Sequence, residues 1–168
     1  IEEGNKIIGK HGGTATSEDG TVIKAENFEY DKIENILIAF GGVEIIDKEK
    51  NILIKSPKIT YLKNKELVFT NGKSTAISDG IIIDADNFEY NKINNVINAN
   101  GNVKIKDTIN DYLILTNKAT YYRNSEKIVT RGETKADIQS KYFINSKDIT
   151  YLHDKKIITS KYKTKIQD

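Results

Sequence analysis

Few side chains in this sequence stand at spacings suited to chemistry. The two histidines, His11 and His153, are proton-shuttle or metal-ligand types, yet they lie far apart and share no partner motif. The chain has no cysteine, which removes thiolate ligands, disulfides and a Cys–His nucleophile. Asp84 and Asp86 project from one face of a strand two residues apart, a geometry open to a divalent cation. Their counterparts in the surrounding repeat are Lys24 and Glu26, and Lys55 and Pro57, so no ligand set recurs and a solvated face is expected. The run Gly9-Lys10-His11-Gly12-Gly13 lacks the spacing and Ser/Thr of a phosphate-binding loop and reads as a flexible lead-in. No catalytic, metal or cofactor site is expected, the chain is read as a non-enzyme, and each histidine as a surface or turn residue.

The elements that would position any site come from a repeat. Tyr30, Tyr61, Tyr90, Tyr121 and Tyr151 recur at steps of 31, 29, 31 and 30 residues. Eleven positions after the first four stand Gly41, Gly72, Gly101 and Gly132; Tyr162 holds the fifth place. A longer echo overlies this one, because Ala25-Glu26-Asn27-Phe28-Glu29-Tyr30 returns sixty residues on as Ala85-Asp86-Asn87-Phe88-Glu89-Tyr90. A unit of this size cannot bury its apolar face alone, so neighbours must stack into one continuous core. Function is then to be sought along a surface.

Alignment on the tyrosine shows strand periodicity. Seven residues before it stands isoleucine each time (Ile23, Ile54, Ile83, Ile114, Ile144), and five before it a small residue (Ala25, Ser56, Ala85, Thr116, Ser146). Two before it come Phe28, Ile59, Phe88, Ala119 and Ile149, and seven after it Leu37, Val68, Ile97, Ile128 and Ile158. Steps of two within each half indicate strand, and the odd step of three between the halves implies a bend. Polar stretches after each tyrosine read as hairpin turns centred about three residues on, which pairs the glycine with the small residue five before the tyrosine. That level is predicted to crease, because glycine inside a strand marks a bulge or close backbone approach. Beyond the crease Val43 and Ile45, or Val103 and Ile105, alternate with Ser74 and Ala76, or Thr134 and Ala136, so large and small residues are expected at equal depth in neighbouring hairpins. The fold class is therefore all-β, a creased antiparallel jellyroll or V-shaped trough of hairpin repeats. A parallel β-helix is the competing architecture.

Composition agrees. Residues 1–168 are read as one domain and as a piece of a longer chain, with one proline, Pro57, and no linker-like tract. A net charge of +2 with interspersed signs leaves no nucleic-acid footprint, and no apolar run is long enough for a membrane span.

The stretches Ala85-Asp86-Asn87-Phe88-Glu89-Tyr90 and Asn95-Val96-Ile97-Asn98-Ala99-Asn100-Gly101-Asn102-Val103-Lys104-Ile105 resemble the repeat of the OstA-like lipopolysaccharide-transport family. The first copy matches through Phe28, Tyr30, Leu37, Ala39, Gly41, Val43 and Ile45. The resemblance implies a creased antiparallel β-jellyroll whose interior shields the acyl chains of lipopolysaccharide. It also implies head-to-tail joining of like domains through edge strands. Carried over by position, the acyl-chain groove would be lined by Ile23, Phe28, Tyr30, Leu37, Val43, Ile45, Ile54, Ile59, Val68, Ile83, Phe88, Tyr90, Ile97, Val103 and Ile105. The implied setting is the periplasm, associated with the outer membrane of a Gram-negative bacterium. Implied partners are lipopolysaccharide and other jellyroll domains, with no cofactor and no nucleic acid.

The family includes a periplasmic bridge protein and the N-terminal domain of an outer-membrane assembly protein. The stretch from Gly132 to Ile166 resembles the hand-over region of the latter, which favours that role and adds its β-barrel as a partner. Many such assembly proteins carry cysteines near this domain, and here there are none. A structural β-repeat, such as an adhesin or surface-layer segment with a closed core and no ligand, is the alternative of a different class.

Overall fold

The computed structural model describes residues 2–168. Short strands β1 (Glu2–Glu3), β2 (Lys6–Gly9), β3 (Gly13–Thr16), β4 (Val22–Ala25) and β5 (Asn27–Asp31) lead into the long β6 (Ile36–Asp47) and β7 (Ile52–Leu62). Then come β8 (Leu67–Asn71), β9 (Ser74–Ser78), β10 (Ile81–Ala85), β11 (Asn87–Asn91), and the long β12 (Val96–Asp107) and β13 (Tyr112–Tyr122). β14 (Lys127–Arg131), β15 (Glu133–Ile138), β16 (Tyr142–Lys147), β17 (Thr150–Leu152), β18 (Ile157–Thr159) and β19 (Lys165–Gln167) complete the chain. Every pairing among the described residues is antiparallel, which rules out the β-helix. The strands form one continuous sheet that folds back on itself into two walls.

One wall carries the tyrosines. It runs through β2, β5, the first half of β6, the second half of β7, β8, β11, the first half of β12, the second half of β13, β14, β17 and β18. The facing wall runs through β3, β4, the remaining halves of the long strands, β9, β10, β15, β16 and β19.

The crease between the walls lies at the glycine series, all in the left-handed region: Gly41 at φ 83°, Gly72 at 94°, Gly101 at 76° and Gly132 at 86°. In β6 and β12 a second left-handed residue follows, Gly42 and Asn102, and the register skips there between Phe40 and Val43 and between Asn100 and Val103. Two residues on one strand there face one on its neighbour, and such a bulge bends the ladder. The glycine also stands one residue from its predicted opposite, because Tyr30 pairs with Leu37 and Tyr90 with Ile97, which centres each hairpin half a residue later than expected. Gly41 and Gly101 accept hydrogen bonds from the amides of Glu26 (3.3 Å) and Asp86 (2.9 Å), four residues before the tyrosine, not five.

Side chains between the walls stack in rungs. Along the rim of the tyrosine wall, Ile7, Tyr30, Leu37, Tyr61, Val68, Tyr90, Ile97, Tyr121, Ile128, Tyr151 and Ile158 stand opposite one another in turn. On the facing wall the sequence Ile23, Ile45, Ile54, Ala76, Ile83, Ile105, Ile114, Ala136, Ile144 forms one rung. The predicted large–small alternation is thus sparser than expected, with one alanine per sixty residues. Nearer the crease the small residues satisfy buried polar groups: the Ser74 hydroxyl donates to Gly72 O (2.7 Å) and lies 3.0 Å from the Ser56 hydroxyl, and the Thr134 hydroxyl donates to Gly132 O (3.1 Å) and lies 3.1 Å from that of Thr116. Hydroxyls here answer the backbone carbonyls that the crease turns inward.

The crease predicts a graded response to methyl groups. A Cβ at Gly41 would lie 2.7 Å from Glu26 Cβ, whereas at Gly132 it would meet nothing within 4 Å. Gly132→Ala should cost about 1–2 kcal/mol from its left-handed backbone alone, and Gly41→Ala distinctly more; urea unfolding of the two variants measures the difference.

Candidate functional site

The tyrosine-wall turns repeat in detail. Five residues after each tyrosine the backbone is left-handed, at Asn35, Glu66, Asn95, Glu126 and Lys156. The carbonyls of the first four accept the amides of Lys63, Lys92, Arg123 and His153 at 3.1, 2.9, 3.2 and 3.0 Å. Each turn is therefore tied to the next, and the residue two after the tyrosine is held at the rim. That residue is basic in every copy: Lys32, Lys63, Lys92, Arg123, His153. This series was legible in the sequence at a fixed offset from the tyrosine, but composition and motif reading passed over it.

Three of these residues fasten the rim to the turns of the facing wall. Lys92, 1% exposed, contacts Asp19 at 2.5 Å, Glu66 at 2.9 Å and the Tyr61 hydroxyl at 3.1 Å. Burial pushes its pKa down, but the hydrogen bonds from the ammonium to these groups outweigh it and hold the pKa above the ordinary lysine value. Burial likewise pushes the Tyr61 phenol up, to about 12. Arg123 donates to Ser78 at 2.7 Å, to the Lys50 carbonyl and to the Asn95 side chain. His153 lies between Asp107 (3.3 Å) and Glu126 (3.1 Å), so it is a buried turn residue rather than a surface one. Asp107, 1% exposed, also accepts from the Tyr151 hydroxyl, the Asn110 side chain (2.8 Å) and the amides of Ile109 and Asn110 (both 2.9 Å). Burial raises its pKa, yet the hydrogen bonds led by Tyr151 and Asn110 win and hold it below the ordinary carboxylate value.

With the rims fastened, the interior is filled along most of its length. Val43, Ile45, Ile54, Ile59, Val68, Ile83, Phe88, Tyr90, Ile97, Val103 and Ile105 are all 2% exposed or less and belong to one packed cluster. The remaining four residues of the sequence-derived groove, Ile23, Phe28, Tyr30 and Leu37, line a cavity of about 420 Å3 at the N-terminal end of the fold, together with Ile7, Gly9, Gly13, Thr14, Ala15, Thr16, Ser17, Tyr61 and Lys63. Ile7 and Ala15, the first residues of two rungs, were not foreseen as lining. The cavity lies where β3 pairs only with β4 among the described residues and β2 carries only the two-residue β1 on its other side. Its size falls within the roughly 300–1,000 Å3 of small-molecule sites, and its floor is aliphatic and aromatic.

Elsewhere the surface is polar. Asp84 is exposed and accepts from Thr75 (2.6 Å), and the described residues contain no cluster of three or more acidic, histidine or cysteine side chains placed to hold a metal.

No protein-family profile matches the chain, and no curated protein sequence matches it. Among solved structures, the chain aligns with LptH from Pseudomonas aeruginosa, the LptA-homologous periplasmic component of the lipopolysaccharide transport device. The identity is 11%, over 90% of this chain and 96% of that chain, with a TM-score of 0.35.

The rim predicts an acid-sensitive fold. The unfolded Asp107 carboxylate takes up its proton first, so its stabilisation is complete above about pH 4 and is lost as pH falls through the lower folded value. Asp107→Asn should lose about 1–3 kcal/mol at neutral pH through donors left unpaired. It should also flatten the acid limb of stability against pH, as followed by thermal unfolding.

Proposed function

We propose that this chain is an OstA-like jellyroll domain that takes lipopolysaccharide across the periplasm by shielding its acyl chains. The observation that carries this reading is the N-terminal cavity. It is where the apolar rungs open to solvent, and Ile23, Phe28, Tyr30 and Leu37 of the family-like groove converge on it. Sheet edges support it as well: among the described residues β3 pairs only with β4, β18 only with β17, and β19 only with β16. Unpaired edges invite strand addition, so further jellyroll domains stacked there would extend both walls and the apolar interior between them. Of the two family roles, the N-terminal domain of an LptD-type assembly protein is favoured over an LptA-type bridge by the Gly132–Ile166 stretch, with an outer-membrane β-barrel as partner.

One observation favours a second reading. The filled interior around Ile54 and Ile59, both 0% exposed, is what a structural repeat without a ligand would have. A photo-crosslinking residue placed in cells separates the two. At Phe28 it should capture lipopolysaccharide, and at exposed Glu34 it should not. Capture at neither position, or equally at both, would favour the structural repeat. Crosslinker at Ile54 is expected to stay silent.

A further inference from the structure

The polar surface is interrupted on the outer side of the facing wall. Residues between those of the inward isoleucine rung point to solvent. One row of them reads Val22, Ile46, Leu53, Ile77, Ile82 across five neighbouring strands, β4, β6, β7, β9 and β10. An antiparallel sheet wetted on one side ordinarily carries polar residues there. This aliphatic row spans about 19 Å at the usual strand spacing; Ile77 is 36% exposed and the other four are half-buried. Beyond Ile82 the row continues as Lys106, Leu113, Asp137 and Phe143. The next row toward the crease holds Lys24, Glu44, Lys55, then Asp84, Lys104 and, past Leu115, Lys135. Its acids are engaged: Glu44 pairs with Lys55 at 3.2 Å and Asp84 accepts from Thr75 at 2.6 Å, as Asp137 accepts from the Ser140 amide at 2.9 Å. Lys104, Lys106 and Lys135 make no ion pair among the described residues. These three exposed cations stand around Leu113, Leu115 and Phe143, the last two 42% and 45% exposed.

We propose that the outer face of the facing wall lies on an anionic lipid bilayer, with the aliphatic row at the acyl boundary and Lys104, Lys106 and Lys135 on the head-group phosphates. Charge complementarity selects this occupant. The core of a protein interface is depleted of charge, whereas here the apolar row is one residue wide, Lys106 interrupts it, and Lys104 and Lys135 flank it on either side of Leu115. A bilayer surface accepts that pattern: lysine stems lie along apolar groups while their ammonium ends reach the phosphates. None of these residues lines the N-terminal cavity, so the face is separate from the proposed acyl-chain site.

Co-sedimentation of the purified chain with vesicles at low ionic strength tests it. The chain should bind equimolar phosphatidylglycerol–phosphatidylcholine vesicles well and pure phosphatidylcholine vesicles poorly, and added salt should weaken the binding. Each lysine neutralised on this face should cost about fivefold, so Lys106→Gln with Lys135→Gln should weaken binding about 25-fold. Lys106→Arg with Lys135→Arg should retain it. Ile77→Thr with Ile82→Thr leaves the charge unchanged and should weaken binding about tenfold. Lys118→Gln with Arg131→Gln removes the same charge from the outer face of the tyrosine wall, where both side chains are exposed, and should leave binding nearly unchanged. Thermal midpoints matching the parent chain's show that the folds are intact. Equal weakening by the two charge-removing pairs would make the attraction non-specific and overturn the docking face. Binding unmoved by the isoleucine pair, or no binding to the anionic vesicles, overturns it as well. A dimer in solution that the isoleucine pair disperses would make the row a contact between copies and overturn the lipid assignment.

Discussion

The structure depends on a backbone constraint that recurs once per repeat: a strand must turn through the left-handed region without leaving the sheet. Gly41, Gly72, Gly101 and Gly132 meet it at little cost, since only glycine enters that region without a Cβ penalty. A flat meander of thirty-residue units would expose one apolar face to water. Creased at one level, the same meander faces itself, and the rungs of isoleucine on one wall meet those of tyrosine and aliphatic residues on the other. Burial of each large side chain is worth about 1.5–3 kcal/mol, and it is available only because every strand bends at the same depth. Pro57 suits this level too. It stands at the crease of β7 beside Gly72, between the residues that pair with each wall's neighbours.

Folding the sheet creates a second demand, because two rims of turns come together with carbonyls and hydroxyls pointing inward. Lys92 and Arg123 answer it with cations that reach the opposite turns, the His153 ring sits between Asp107 and Glu126, and the tyrosine hydroxyls join them where Tyr61 meets Glu66 and Tyr151 meets Asp107. Buried charges of this kind are tolerated because each is paired and hydrogen-bonded. The rim thus decides where the interior is closed. Where Lys92, Arg123 and His153 reach the turns of the facing wall the walls are fastened over a packed core, and the cavity lies at the N-terminal end beside Lys63.

Most of the architecture was legible in the sequence. The tyrosine–glycine spacing located both turns and crease, and steps of two placed Ile54, Ile83 and Ile114 on a single rung. The crease register was off by one residue because the polar stretches do not fix the centre of the hairpin turn, which lies half a residue later than expected, with Tyr30 opposite Leu37 and Tyr90 opposite Ile97. The apolar set defined the interior correctly, but periodicity reports which face is inward and not whether the facing wall touches it. The rim contacts, between residues as distant as Asp19 and Lys92 or Asp107 and His153, fasten the walls over eleven packed positions, while of the four that line the cavity Ile23 and Leu37 are buried and Phe28 and Tyr30 half-buried. His153 shows the same limit, since read alone it has no motif and only its place after Tyr151 reveals it as a member of the rim series.

The central claim is that apolar ligand enters at the N-terminal end and does not penetrate the packed interior. Intermolecular nuclear Overhauser effects between isoleucine methyl groups and the acyl chains of bound lipopolysaccharide test it most directly. The account predicts contacts at Ile7 and Ile23, which line the cavity, and none at Ile54, Ile59 or Ile105. Contacts at those core methyls, or none at Ile7 and Ile23 with ligand bound, would contradict it.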